Sequence, residues 1–199
     1  MEPSLFMSVA ERRNDPWDAG RGRVLLRIAR ESLGEALGVG PAADYRDPWL
    51  QEPGACFVTL TRWGELRGCV GSVRASRPLF DDVWLNARGS AFHDSRFAPV
   101  ERDELRDIAI EISLLSQPEL LPSYALEKEA LAALRPGIDG VILDFGSYRS
   151  TFLPQVWEQL PDPTEFLAHL KTKAGLSEGF WSPDVQLQRY SVIKWTEED

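Results

Sequence analysis

Apolar residues recur at helical spacing over Arg21–Leu37. Val24, Leu25, Ile28, Leu33, Ala36 and Leu37 share one stripe, and Gly38, Gly40 and Pro41 end it. The spacing predicts a helix there, after a mixed, charged leader over Met1–Gly20. A loop over Pro41–Gly54 follows, pinned by Trp49 and Leu50. The period then changes. Ala55–Trp63 and Leu66–Val73 read as strands joined by a turn at Trp63-Gly64-Glu65. Pro78 opens a helix that runs to about Phe92, with Asp81 and Asp82 favouring its positive end. Leu79, Val83, Asn86, Ala87 and Ser90 line its inner stripe. A charged loop spans His93–Arg106. Ile108, Ile110, Ile112 and Leu114 then alternate strictly, the mark of a strand with one buried face.

A second round repeats the order. Glu127–Leu134 is a short helix ended by Pro136-Gly137. Val141–Phe145 and Tyr148–Leu153 form a hairpin around Gly146-Ser147. Pro163–Ala174 is a helix with Phe166, Leu167 and Leu170 inside and Gly175 as its cap. Val185–Trp195 reads as one last strand. Each round runs hairpin, helix, strand, and Arg149 in the second hairpin answers to Arg67 in the first, which points to an ancient duplication. Hairpins dominate, so the expected class is α+β with a largely antiparallel sheet and flanking helices.

Composition narrows the function. The 199 residues carry a net charge of −9, which argues against general nucleic-acid binding. No apolar run approaches the roughly 20 residues of a membrane helix. The first twenty residues lack a signal peptide's apolar centre, so a cytoplasmic location is expected. Two histidines, His93 and His169, exclude a histidine-rich metal site, and Cys56 and Cys69 make no zinc-ligand pattern.

Within that frame, Glu65-Leu66-Arg67-Gly68-Cys69-Val70-Gly71-Ser72 is the most informative segment. Glycine weakens a strand, so two of them around a cysteine need a reason. One reading is a reactive or anion-binding edge. Gly68 and Gly71 then bare backbone amides able to hold an oxyanion, and Arg67, two residues from Cys69, shares its face and favours the thiolate. The other is a tight strand crossing where only glycine fits, with a small buried cysteine. Glu111 lies mid-strand opposite the isoleucines. It is either solvated, or a base near Cys69 or a partner for Arg67. Phe92-His93-Asp94-Ser95-Arg96-Phe97 offers His93 as a base for Cys69 and Arg96 as a clamp on a carboxylate or phosphate, with Asp94 turning the chain. Thr151 and Gln155 are candidates to line a cleft.

Several ordered blocks carry a resemblance. Leu66-Arg67-Gly68-Cys69-Val70-Gly71, Ala91-Phe92-His93-Asp94-Ser95-Arg96-Phe97, Ile110-Glu111-Ile112-Ser113-Leu114-Leu115, Asp139-Gly140-Val141 and Thr151-Phe152-Leu153-Pro154-Gln155-Val156-Trp157 resemble the signature segments of the AMMECR family, over about residues 21–196. Val70 replaces the family's isoleucine, and His93 stands at a variable position of the pattern. The resemblance implies an α+β domain of two unequal subdomains. It lies nearest the prokaryotic branch whose system name, AmmeMemoRadiSam, couples it to a Memo-like protein and a radical S-adenosylmethionine enzyme. By that association the chain is expected to serve a modification or redox pathway. Nothing in the sequence marks an iron–sulfur or S-adenosylmethionine site, so those cofactors belong to the partners.

Three readings therefore stand. In the first, Cys69 is a nucleophile or redox thiol served by Glu111 and His93, with Arg67, Gly68, Gly71, Arg96 and Thr151 binding substrate. In the second, the glycine-flanked strand is a groove for a small-molecule or peptide ligand in a non-catalytic adaptor. In the third, the signature serves folding alone.

Overall fold

The computed structural model describes residues 16–40, 45 and 47–197. The chain divides into two compact units, Met1–Leu115 with Ile193–Asp199, and Ser116–Val192.

In the first unit, helix α1 (Pro16–Ala36) starts at Pro16 rather than Arg21, so residues 16–20 of the expected leader are helical. The rest of that leader lies outside the described residues. A short helix, α2 (Pro48–Gln51), buries Leu50 within the expected loop. β1 (Pro53–Gly54) pairs with β4 (Arg77–Pro78) in a two-stranded ladder. β2 (Cys56–Arg62) and β3 (Glu65–Gly71) form the predicted hairpin. Its two-residue turn has φ of 54° at Trp63 and 82° at Gly64. Positive φ at both central positions matches the turn to the strands' twist. Helix α3 (Leu79–Phe92) follows, then β5 (Ile108–Leu115). With β10 (Val192–Thr196) the main sheet runs β10-β5-β2-β3, leaving β3 at an edge.

Alternation along β2 and β5 turns Val58, Leu60, Ile110 and Ile112 onto the buried face, where they pack with Leu25 and Ile28 of α1 and Val83 and Ala87 of α3. At the start of α3, Asp82 is fully buried. It accepts hydrogen bonds from the Cys56 N–H (2.8 Å), Ser72 Oγ (2.7 Å), Arg77 Nε (2.9 Å) and Asn86 Nδ2 (2.9 Å). A buried carboxylate needs such a set of donors. Asp82 therefore ties β2 and the end of the signature to α3, a larger part than the helix-dipole role its position implies.

The second unit contains β6 (Glu119–Leu120), α4 (Glu127–Ala133), β7 (Gly140–Phe145), β8 (Tyr148–Phe152), α5 (Pro163–Ala174) and β9 (Gln186–Tyr190). Its sheet runs β6-β9-β7-β8. Val141, Leu143, Trp157, Phe166, Leu167 and Leu170 form its own core. Trp157 stacks on Phe166 with ring centroids 3.7 Å apart. Asp162 caps α5 by accepting from the Thr164 and Glu165 amides, and Gly175 closes it at φ 90°.

The predicted last strand, Val185–Trp195, is in fact two. β9 and β10 are separated at Ser191 and belong to different sheets. The repeat is present in three dimensions: β5-β2-β3 in one unit matches β9-β7-β8 in the other, each with its helix between hairpin and returning strand. Even a helix–strand contact recurs. The Ser90 carbonyl of α3 sits over Gly68, the partner of Leu60, and the Leu170 carbonyl of α5 accepts from Ser150, the partner of Leu143. Among the described residues, five helices and three antiparallel sheets make this an α+β fold. No described helix is long and apolar enough to cross a membrane.

Candidate functional site

Thr59 of β2 lies directly between Cys69 of β3 and Glu111 of β5 in the strand register. Residues directly opposite one another across antiparallel strands share a face. Cys69, Thr59 and Glu111 therefore form a row on the sheet face turned away from the core. Lys194 of β10 closes the row, its Nζ 3.2 Å from Glu111 Oε1. Thr59 Oγ1 donates to Cys69 Sγ at 3.4 Å, and Ser113 Oγ donates to Glu111 Oε1 at 3.4 Å. Cys69 is half-buried.

The backbone of Cys69 is held from the free edge of the sheet. Its N–H donates to Asp94 Oδ2 at 2.9 Å, and its carbonyl accepts from Arg96 Nη2 at 3.4 Å. Arg96 in turn grips Asp94 through Nε (2.9 Å) and Nη2 (2.6 Å), and Asp94 also accepts the Arg96 amide at 3.1 Å. The Arg96 guanidinium, with the Cys69 amide second, holds the Asp94 carboxyl well below the usual carboxylate range. The Arg96 side chain remains 54% exposed, with the guanidinium 5.4 Å from the Phe97 ring centroid.

The charge beside Cys69 was expected from Arg67, and a bulge overturns that. Leu60 pairs with Gly68 but Thr61 pairs with Leu66, so Arg67 is left without a partner strand residue. A bulge re-aims the side chain it carries and breaks the two-residue alternation. Arg67 reaches Glu104 through Nε (3.1 Å) and Nη2 (2.9 Å), and the Ala98 and Pro99 carbonyls through Nη1 (2.9 Å) and Nη2 (3.4 Å). Arg62 Nη1 joins the same carboxylate at 2.8 Å. Arg67's hydrogen bonds, helped by the Glu101 amide and the charge of Arg62, bring Glu104 down to about 2. Arg67 is thus a strap across the following loop, with no free fork for a substrate.

Gly68 and Gly71 also differ from the functional expectation. A Cβ on Gly68 would lie 2.0 Å from the Ser90 carbonyl oxygen, and one on Gly71 2.3 Å from the Phe57 ring and 2.6 Å from the Cys56 carbonyl oxygen. Both glycines admit close packing by this chain's own atoms, as the tight-crossing reading holds. The amides are not bare either. Val70 N–H donates to Ser90 Oγ at 2.8 Å, and that hydroxyl donates to the Val58 carbonyl at 2.7 Å. Ser72 N–H donates to the Cys56 carbonyl. An oxyanion hole at Gly68–Gly71 is therefore not formed.

His93 is exposed at the end of α3, and no hydrogen bond links it to Cys69. Glu111 is separated from Cys69 by β2, roughly 10 Å at the usual strand spacing, and pairs with Lys194 rather than Arg67. A Cys-His-Glu triad is not assembled. Thr151 belongs to the second unit, where its hydroxyl donates to the Val141 carbonyl at 2.9 Å and meets Tyr190 Oη at 3.2 Å. In the repeat, Thr151 and Gln188 flank Ile142 as Cys69 and Glu111 flank Thr59, so the thiol and the carboxylate are particular to the first unit.

Cys56 is fully buried on the core side of β2. Burial, then the charge of Asp82, pushes its thiol well above the ordinary value. Cys56 and Cys69 face opposite sides of the sheet, which precludes a bridge without backbone movement. Among the described residues, no group of three or more His, Cys, Asp or Glu side chains is placed to hold a metal.

An α+β chain with a hydroxyl-bonded cysteine on an edge strand is the class that fold and site define. Its family follows from comparison. The AMMECR1 family model matches residues 26–195, and the chain belongs to that family. A protein of Aeropyrum pernix is 37% identical over 188 residues, spanning 90% of this chain and 80% of its own length. One from Methanothermobacter thermautotrophicus is 37% identical over 187 residues, spanning 89% and 94%. The crystal structure of uncharacterized protein PH0010 from Pyrococcus horikoshii is similar with a TM-score of 0.74 at 33% identity, covering 89% of this chain and 91% of that one.

Proposed function

We propose that the protein is a cysteine-dependent component of a modification or redox pathway, with Cys69 as its reactive thiol, acting with a Memo-like protein and a radical S-adenosylmethionine enzyme. The partners rest on the family resemblance. The thiol rests on one observation: both backbone polar groups of Cys69 are held by the side chains of Asp94 and Arg96, while its sulfur faces away from the core and accepts the Thr59 hydroxyl. A hydroxyl donor of this kind binds a thiolate, the nucleophilic form of cysteine. Arg96, with its side chain 54% exposed, meets an anionic part of the substrate. Glu111 and Lys194 serve as an acid–base pair for a ligand lying across Thr59.

The adaptor reading fares less well. The glycines are filled by Ser90 and Phe57, and strand addition at Cys69 would need the edge bonds already taken by Asp94 and Arg96.

Exchange with 2,2′-dithiodipyridine tests the thiol. The Cys69 thiolate attacks one sulfur, the S–S bond breaks, and pyridine-2-thione leaves as the mixed disulfide forms. Of the two cysteines, the account expects one thione per native chain, none from native Cys69→Ser, and two from unfolded wild type. No release from the native wild type would contradict it.

A further inference from the structure

The loop after α3 reads as a turn in which Asp94 merely reverses the chain. Its geometry indicates more. Asp94 is 7% exposed at its side chain, and its two oxygens accept four hydrogen bonds: the Cys69 amide, the Arg96 amide, Arg96 Nε and Arg96 Nη2. Arg96 then returns to the Cys69 carbonyl. The two side chains close a ring on the two backbone polar groups of a single edge-strand residue. They take the two backbone bonds that a neighbouring strand would otherwise make there.

An edge plug need only block strand addition, and a lysine or a bulge does that. This one is different in two ways. It is centred on Cys69, the one half-buried cysteine. It also sets the Arg96 guanidinium on the Cys69 carbonyl, while Asp94 fixes the guanidinium's plane through a two-point grip. Thr59 fixes the sulfur from the opposite strand. The thiol is thus located by its backbone on one side and by a hydroxyl on the other.

We infer that Asp94 and Arg96 are positioning residues for the Cys69 thiol, acting through its amide and its carbonyl. The inference rests on the Cys69 reading above. Asp94 touches no reacting atom. It orders Arg96 and the Cys69 peptide, and their geometry sets how the sulfur meets a reactant.

The test is the rate of iodoacetamide alkylation of Cys69 in the full native chain, followed by mass spectrometry at pH 7 and pH 9.5, with melting curves alongside. Asp94→Ala and Arg96→Ala are each expected to slow labelling by about tenfold at both pH values, about 1.4 kcal/mol in the barrier, because the sulfur is no longer held where a reactant meets it. The loss should persist at pH 9.5, above the ordinary thiol value of about 8.5, because it comes from geometry and not from charge. Asp94→Asn and Arg96→Lys keep part of the clamp and should fall between. These two conservative variants also report if an alanine variant fails to fold. A plug that only stabilises the edge would lower the melting temperature and leave both labelling rates at their wild-type values. That result would overturn the positioning role while leaving Cys69 reactive. Wild-type Cys69 as inert as Cys56 at both pH values would overturn the thiol site and the clamp's role together.

Discussion

At Gly68, sequence and structure agree on the cause. A glycine inside a strand signals a close approach, and the Ser90 carbonyl oxygen, 2.0 Å from where a Cβ would stand, is that approach. The oxygen belongs to α3's backbone and cannot rotate away. Gly68→Ala is therefore expected to cost about 3 kcal/mol or more, the upper range for overpacking. Equilibrium denaturation in urea measures it, and an unchanged midpoint would contradict the packing account. Other residues were less legible. Counting outward from the Trp63-Gly64 turn, with Arg62 opposite Glu65, places Thr59 against Gly68. The bulge at Arg67 shifts the register by one and brings Thr59 to Cys69 instead. Nothing in the run Leu66-Arg67-Gly68 announces that shift, because a bulge is defined by two strands. Arg67 was misread and Thr59 missed for the same reason. Asp94 was read as a turn residue because its partner, the Cys69 amide, is remote in sequence.

At the scale of elements, the hairpins and long helices were legible because each carries its own period and its own stop signals. α3 and α5 fall where proline, acidic residues and apolar stripes place them. The end of the chain was not. Val185–Trp195 reads as one strand although its apolar parity changes at Arg189-Tyr190 and again at Val192-Ile193, and β9 and β10 join different sheets. Alternation reports one buried face, and it does not name the neighbour. β10 is nonetheless structural for the first unit. Trp195 fills the space over Gly22 of α1, Glu197 pairs with Arg30 and accepts the Ile110 amide at 3.0 Å, and Lys194 meets Glu111. A chain ending at Ser191 is expected to melt several degrees lower, since about 1 kcal/mol moves a domain of this size by a few degrees. Melting at the full-length temperature would show that β10 adds little to the sheet.

For the molecule as a whole, α+β class and the repeated hairpin–helix–strand order were visible from periodicity, and family membership from five ordered motifs. The asymmetry between the repeats was visible only in register, where Thr151 and Gln188 of the second unit stand in place of Cys69 and Glu111. The whole chain thus offers two thiols in contrasting settings. One is fully buried among Asp82, Asn86 and the core. The other faces away from it, held by Thr59, Asp94 and Arg96. The measurement that tests the account most directly is the pH dependence of alkylation at both cysteines of the native protein, resolved by mass spectrometry. The account predicts that Cys69 labels readily at neutral pH while Cys56 labels only after unfolding. Cys69 as slow as Cys56 at every pH, with both labelled after unfolding, would make it a structural thiol and contradict the proposed chemistry.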